Sequence, residues 1–330
     1  MKVFVTGGTG FVGANLIRLL LTQGYEVRAL VRSSSSLSNL QDLVQNTALE
    51  LVQGDLTDRH LAQLLQGCEA LFHVAAHYSL WQRDRDQLYQ ANVLGTRNIL
   101  QAARQAGVEK TVYTSSVAAI GVNPSGEPTD ETYQSPPEKL IGVYKQSKYW
   151  AEQEAVQAAQ AGQQVVIVNP SSPIGAWDVK PTPTGDIVLR FLRRQMPVYV
   201  DTGLNFIHVQ DVCWGHLLAL QKGQSGDRYI LGHQNLTLKQ VLDHLEMITG
   251  LPAPTRSIPN WIPLTVAWMD EKVLAKLGKS PSIPIDGVRM SSQKMFYDPS
   301  KAIQQLGLPQ TSIALALQEA VDWFRAHHAV

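Results

Sequence analysis

Tyr144 and Lys148 stand four residues apart in Tyr144-Lys145-Gln146-Ser147-Lys148, so a helix would place both on one face. A phenol, with a pKa near ~10, is a poor base at neutral pH. A neighbouring ammonium favours the phenolate, and lowering that pKa by about three would take ~4 kcal/mol of differential stabilisation. Such a pair could give or take a carbinol proton while a nicotinamide carries the hydride. The same spacing recurs at Tyr297 and Lys301. There Asp298-Pro299 sets a helix start between the two and separates their faces, so that copy reads as structural. Thr114-Ser115-Ser116 closes a predicted strand ahead of the Tyr144 helix. A hydroxyl at a strand's carboxyl end can bond a substrate oxygen and hold it against Tyr144; a simple turn is the competing reading of the serines.

A second constellation lies at the start of the chain. Thr6-Gly7-Gly8-Thr9-Gly10-Phe11-Val12-Gly13 follows a predicted strand and opens a predicted helix. Gly7 allows a tight turn, Gly10 lets backbone approach a pyrophosphate, and Gly13 permits close helix–strand packing. The helix N-terminus then offers free N–H donors to phosphates. The end of the second strand reads Ala29-Leu30-Val31-Arg32-Ser33, with no acid to hold a ribose 2′-hydroxyl. A guanidinium can bind a 2′-phosphate bidentately, so Arg32 favours NADP over NAD; a solvated surface arginine is the alternative. Asp55, in Gly54-Asp55-Leu56, could accept from an adenine amino group or serve as a turn residue.

These groups need a frame. Short β-branched or aromatic runs recur at 2–6, 26–31, 49–53, 70–74, 111–115 and 165–169. They are nearly continuous in apolar character, as in parallel strands covered on both faces. Helical patterns lie between them, over 11–22 (closed by Gly24), 59–66, 87–105 and 144–161. This alternation predicts an α/β doubly wound parallel sheet, a Rossmann fold. Residues 1–170 then form the dinucleotide-binding domain, and 171–330 a smaller, mixed, mainly substrate-binding domain with segments returning to the first sheet. After Pro170 the rhythm changes, with Pro173, Pro181, Pro183 and Pro197 marking a loop-rich stretch. A helix is predicted at 209–221, a strand at 228–231, a helix at 238–249 started by Thr237, and a final helix at 312–326. Pro252, Pro254, Pro259 and Pro263 mark an irregular connection.

Composition narrows the class. Of 330 residues, 44% are apolar and 17% charged, enough to build a core. Lys plus Arg is 28 and Asp plus Glu is 28, so no basic excess suits a nucleic-acid backbone. Cys68 and Cys213 make no disulfide framework or zinc pattern and read as buried thiols, and the nine histidines show no metal spacing. No run reaches a membrane span, and Met1 leads straight into the first strand with no room for a signal peptide. The expectation is a cytoplasmic protein without a metal.

The segments together resemble a known family. Thr6-Gly7-x-x-Gly10-x-x-Gly13, Asp55, Ser116 and Tyr144-x-x-x-Lys148, in this order, look like an extended short-chain dehydrogenase/reductase. Phe72-His73-Val74-Ala75-Ala76, Asn92-Val93-x-Gly95-Thr96, Asn205-Phe206-Ile207-His208-Val209-x-Asp211-Val212 and Asp298-x-x-Lys301-Ala302 are of the same type, so the resemblance covers nearly the whole chain. Within the family the chain is similar to dihydroflavonol-reductase-like proteins, and closest to the group called hopanoid-associated sugar epimerases. The resemblance implies that Tyr144 is the general acid/base, that Lys148 binds the nicotinamide ribose and lowers the Tyr144 pKa, and that Ser116 positions the substrate oxygen. It implies Phe11 and Val12 beside the pyrophosphate, Asp55 and Leu56 by adenine, Ala75 and Ala76 under the adenine ribose, and the Pro170 to Ile174 segment along the nicotinamide, with Thr114 also in the cofactor site. It further implies a homodimer through the 87–105 and 144–161 helices. Related dehydratases carry an Asp-Glu pair where this chain has Ser115 and Ser116, so dehydratase chemistry is excluded.

Further residues are open to either reading. His77, Tyr78 and Trp81 follow the fourth strand and could meet substrate or simply pack a loop. Lys180, in a Pro-Thr-rich stretch, lies where relatives contact substrate or forms part of a rigid linker. His327-His328 reads as a solvated tail. The apolar stretch 258–268, with Trp261 and Trp268, is expected in the core or a dimer contact; covering a lipidic substrate or touching a membrane surface is the alternative. Three functions follow: an NADPH-dependent reductase, a sugar or glycolipid epimerase acting on a lipid-linked sugar with no net redox change, or a non-catalytic cofactor-binding regulator. Ser116, Tyr144 and Lys148 serve the first two equally, and their joint presence argues against the third.

Overall fold

The computed structural model describes residues 1–276 and 284–328. Six strands open the chain: β1 (Lys2–Thr6), β2 (Glu26–Val31), β3 (Leu49–Gln53), β4 (Ala70–His73), β5 (Lys110–Thr114) and β6 (Val165–Pro170). Between and beside them run α1 (Phe11–Thr22), α2 (Leu61–Leu65), α3 (Arg85–Leu88), α4 (Gly95–Ala106), α5 (Val117–Ile120) and α6 (Val143–Gln160). Later strands are β7 (Ser172–Ile174), β8 (Tyr199–Val200), β9 (Gly203–His208), β10 (Arg228–Leu231), β11 (Gln234–Thr237), β12 (Ser257–Ile258) and β13 (Lys294–Met295). The helices among them are α7 (Pro183–Leu192), α8 (Val209–Lys222), α9 (Leu238–Thr249), α10 (Trp261–Lys276), α11 (Ile285–Met290) and α12 (Ile313–His327).

The main sheet has seven strands in the order β10-β6-β5-β4-β1-β2-β3, all parallel. The order reverses direction beside β1, where a doubly wound sheet opens its ligand crevice. Strand residues alternate between two buried faces. Val3 and Val5 pack with residues of α1 and α8, whereas Phe4 packs with those of α2 and α4. Burial on both faces explains why these strands read as unbroken apolar runs rather than alternating ones.

Beyond β6 the chain builds a second sheet around β9, paired with β11 antiparallel and with β7 and β13 parallel. Residues of α7, α9 and α12 form its core, with Val188, Val241, Leu317 and Phe324 fully buried. Segments also return to the first sheet: β10 extends its edge, and Val212 and Leu217 of α8 share a core with Val5 and Leu16. Thr237 starts α9 with a reciprocal capping box to Gln240. Among the described residues no helix is long and apolar enough to cross a membrane.

Four expectations need correction or refinement. The 87–105 helix is continuous, but residues 89–94 within it are π-helical between α3 and α4, a local widening that propensity does not signal. The 252–263 stretch is not all irregular, because α10 begins at Trp261. Pro263 falls in the first turn, where no intrahelical N–H bond is lost. The apolar 258–268 stretch is not core: Trp261, Val266 and Trp268 are exposed and Ala267 alone within 261–268 is buried. His327 is not free in solvent either; its ring stacks on Trp323 with centroids 3.6 Å apart.

Candidate active site

Three loops and one helix meet at the carboxyl ends of β1, β4 and β5. The helix is α6, entered through Gly142 with φ +88°. A Cβ there would lie 3.1 Å from the Asp286 carboxylate, so both conformation and space require glycine. Tyr144, half-buried, follows in the first turn, and Lys148, buried, stands one turn on. Ser116 caps α5, its Oγ accepting from the Ala118 N–H at 3.1 Å. That oxygen is thereby occupied as an acceptor, which leaves its O–H to donate. Desolvation pushes the Tyr144 phenol up to about 12, and the nearby Ser116 hydroxyl only partly offsets it.

The expected acidification of Tyr144 is therefore not found in the protein alone. Lys148 donates through Nζ to the Thr114 carbonyl at 2.9 Å and lies 5.2 Å over the Tyr113 ring. Burial pulls it down to about 8, with Glu152 opposing. Four-residue spacing predicted a shared face correctly; it could not show that the ammonium is spent on a carbonyl.

Thr114 also differs from expectation. Its hydroxyl lies 2.8 Å from His216 Nε2, and His216 Nδ1 lies 2.7 Å from the Val212 carbonyl. A carbonyl only accepts, so Nδ1 carries the proton. Burial holds the imidazole neutral, down to about 4, so Nε2 accepts from Thr114. The Thr114 hydroxyl serves the fold, and its carbonyl holds Lys148.

The glycine loop takes the expected form. Gly7 has φ +72°, and a Cβ on it would lie 2.6 Å from the Ala75 nitrogen. A Cβ on Gly13 would lie 2.2 Å from the Gly7 carbonyl. No side chain caps α1, whose N-cap is Gly10, so the N–H groups of Phe11, Val12 and Gly13 have no intrahelical partner. An uncapped twelve-residue helix entered through a side-chain-free turn fits a dinucleotide pyrophosphate. Thr6 Oγ1 accepts from the Ala75 N–H at 3.2 Å and lies 2.7 Å from His73 Nδ1, locking the ends of β1 and β4 together.

The loop after β4 joins the two constellations. It passes Gly7 at Ala75, continues through Ala76 and His77, and sets the Tyr78 ring edge-on to Tyr144 at 4.6 Å. Asn92, buried in the π-turn, holds this loop. Its Oδ1 accepts from the His77 N–H at 2.7 Å, and its Nδ2 donates to the His77 carbonyl and to Ser147 Oγ, each at 2.9 Å. Ser147 in turn donates to the Tyr144 carbonyl at 2.7 Å. Sequence reasoning gave Asn92 no role beyond its place in Asn92-Val93-x-Gly95-Thr96. A buried amide in a helical run was the available signal. Asn169, just before Pro170, likewise donates to the Ser116 carbonyl at 3.0 Å and to Glu152 at 2.7 Å.

Other expected residues stand further out. Arg32 is exposed beyond the end of β2, and among the described residues no hydrogen bond or ion pair engages its guanidinium. Asp55 takes the turn role: Oδ1 accepts from the Thr57 N–H and hydroxyl at 3.0 and 2.8 Å, leaving Oδ2. Leu56 packs on Gly95 and accepts from Asn98 through its carbonyl. Trp81 lies 5.3 Å beneath the Arg83 guanidinium, and Lys180 is exposed; no contact joins either to Tyr144. The second Tyr-x-x-x-Lys copy is split as expected. Tyr297 bonds the Gly121 carbonyl at 2.9 Å, while Lys301 pairs with Asp227 at 3.3 Å.

The profile of the NAD dependent epimerase/dehydratase family matches residues 3–232 of this chain. The chain belongs to that family. It is 67% identical, over 98% of its length and 94% of the other's, to a Synechocystis sp. protein named "Putative dihydroflavonol 4-reductase". It is 36% identical to sterol demethylase protein B of Methylococcus capsulatus, with 98% of each chain covered. The crystal structure of gox2253 is 42% identical, superimposes with a TM-score of 0.87 and covers 99% of this chain and 98% of that one. The chain is thus an enzyme of a family whose members act on CH–OH groups with a nicotinamide cofactor.

The two buried lysines carry a stability consequence. Burial brings Lys145, like Lys148, from 10.5 down to about 8. Between about 8 and 10.5 the unfolded chain holds more protons, so this contribution makes stability rise with pH there and is fully unfavourable below it. Lys145→Met removes one such charge. The variant is expected to be more stable than wild type by about 1–3 kcal/mol at pH 7, with the gap closing towards pH ~10. Denaturant melts at the two pH values check it.

Proposed function

We propose that the protein is an NADP(H)-dependent oxidoreductase of the extended short-chain dehydrogenase type, working as a carbonyl reductase of the dihydroflavonol-reductase-like kind. The observation that carries this is the half-buried Tyr144 phenol, beside Ser116 and one helical turn from the buried Lys148 ammonium. A phenol held up at about 12 is protonated at neutral pH, and so is set to give a proton to a carbonyl oxygen. Ser116, its oxygen engaged by Ala118, donates its hydroxyl proton to the same substrate oxygen and fixes it. The Lys148 charge, anchored on the Thr114 carbonyl, stabilises the phenolate left behind and binds ribose hydroxyls. A bound nicotinamide supplies the hydride. The Gly7–Gly13 loop holds the pyrophosphate, Asp55 Oδ2 and Leu56 flank adenine, Ala75 and Ala76 lie along the ribose, and Pro170 borders the nicotinamide.

Arg32 supports the phosphorylated cofactor. An exposed guanidinium without a protein partner stands where NAD-selective sites place an acid. Arg32→Ala is expected to weaken NADPH binding 10- to 100-fold, or ~1.5–3 kcal/mol for a charged hydrogen-bond pair, and to leave NADH unchanged. Fluorescence titration with both cofactors measures it; an unaltered NADPH affinity removes the argument. The Lys148 shift adds a pH signature. Reduction measured as kcat/KM is expected to fall as pH rises through about 8, where the free enzyme loses that charge.

The second reading is a sugar or glycolipid epimerase with no net redox change, favoured by the family's own description. Cofactor behaviour separates them. Steady NADPH consumption with a carbonyl panel supports the reductase, whereas tightly co-purified oxidised cofactor without net turnover supports the epimerase. The edge-on contact of Tyr78 with Tyr144 supports a substrate role for Tyr78. Tyr89 and Trp150, exposed on the π-turn and α6, suit a homodimer seam, and the exposed Trp261, Val266 and Met269 of α10 suit a lipidic surface.

A further inference from the structure

We infer that Lys145 recognises an anionic substituent of the substrate, a carboxylate or a phosphate carried near the reacting carbonyl. The inference rests on the oxidoreductase reading above and names a substrate class for it. Lys145 follows Tyr144 on α6 but lies about 100° around the helix, off the face shared by Tyr144 and Lys148. Its residue is 5% exposed, and its Nζ meets the Met295 thioether at 3.5 Å. A thioether is a weak acceptor. Among the described residues no carboxylate pairs with this ammonium. Its neighbours on α6 differ: Glu152 pairs with Arg228 at 3.1 Å, Glu154 with Arg97 at 2.7 Å, and Lys148 holds a carbonyl.

The place is as informative as the missing partner. Met295, on β13, packs with Val117, Ile120 and Tyr297. Val117 directly follows Ser116, the hydroxyl assigned to the substrate oxygen. The ammonium therefore ends against Met295, in the seam between α5, α6 and the second sheet, carried by the residue next to Tyr144 in the chain. An unpaired buried charge is costly, and a methionine of similar length would fill an apolar seam without that cost. Lysine there makes physical sense when the ligand brings the counter-charge. An anionic substrate then gains a charge-assisted bond that a neutral analogue lacks.

The test uses the full chain saturated with NADPH, so that the glycine loop is filled. Wild type, Lys145→Arg and Lys145→Met are titrated with sodium acetate and, separately, inorganic phosphate at pH 7, with chloride holding ionic strength constant. The readout is the melting midpoint. Wild type and Lys145→Arg are expected to rise saturably with at least one anion, and Lys145→Met to need at least tenfold more of it. Response to acetate alone identifies a carboxylate, and response to phosphate alone a phosphate. NADPH affinity, measured in the same samples, is expected to be equal in all three. No saturable response in wild type, or an equal one in Lys145→Met, overturns the inference. Failure of wild type to bind NADPH removes the oxidoreductase reading, and this one with it.

Discussion

Tyr144→Phe is expected to lower reduction by about 10²–10⁴-fold, the usual worth of a positioned general acid, while NADPH affinity stays within about twofold. Only the hydroxyl is lost. The ring keeps its edge-on contact with Tyr78 and its place in the first turn of α6, so the fold has no reason to change. Ser116 keeps the Ala118 N–H that orients it. Loss of kcat with unaltered cofactor binding separates proton transfer from binding. A variant that retains turnover within about tenfold removes Tyr144 as the acid. A variant that binds cofactor like wild type, in a protein where neither turns over any carbonyl or carbinol tested, supports the regulator reading instead.

Gly13→Ala carries the second large effect. Taken as a helix position, alanine should gain about 1 kcal/mol over glycine. The close approach decides otherwise, because the new Cβ would sit 2.2 Å from the Gly7 carbonyl and 3.0 Å from Gly8 Cα. Backbone cannot swing away as a side-chain tip can, so the loop must move and α1 must lift from it. Destabilisation of about 2–4 kcal/mol is expected, at or above the usual range for overpacking, together with at least hundredfold weaker NADPH binding. Gly24→Ala is the control: nothing lies within 4 Å, but φ is +79°, so about 1 kcal/mol of strain and unchanged cofactor affinity are expected. Denaturant unfolding and fluorescence titration on both variants measure the contrast. Equal cofactor affinity in Gly13→Ala and wild type would refute the role of this loop.

Much of this was legible in local patterns. Strand positions followed from apolar runs, α9 from Thr237, and the glycine loop from its place between strand and helix. The errors share a cause. The π segment at 89–94 carries Asn92, which bonds the loop at His77 and Ser147 of α6, and propensity holds no record of those partners. The start of α10 was hidden by prolines that mark loops in general yet fit a first helical turn. The exposure of Trp261 and Trp268 contradicted composition, since an apolar stretch says what would be favourable to bury and not whether anything covers it.

The order of residues alone determined the doubly wound sheet, the phosphate-cradling turn and the shared face of Tyr144 and Lys148. Each depends on spacing along one strand or helix, and backbone geometry turns such spacing into position. Tertiary structure decided the electrostatics. It spent Lys148 on the Thr114 carbonyl, bound the Thr114 hydroxyl to His216, raised the Tyr144 phenol, and left Lys145 facing only sulfur. Charge and acidity depend on which groups lie within a few ångströms and how much water is excluded, and those neighbours come from segments up to 150 residues apart.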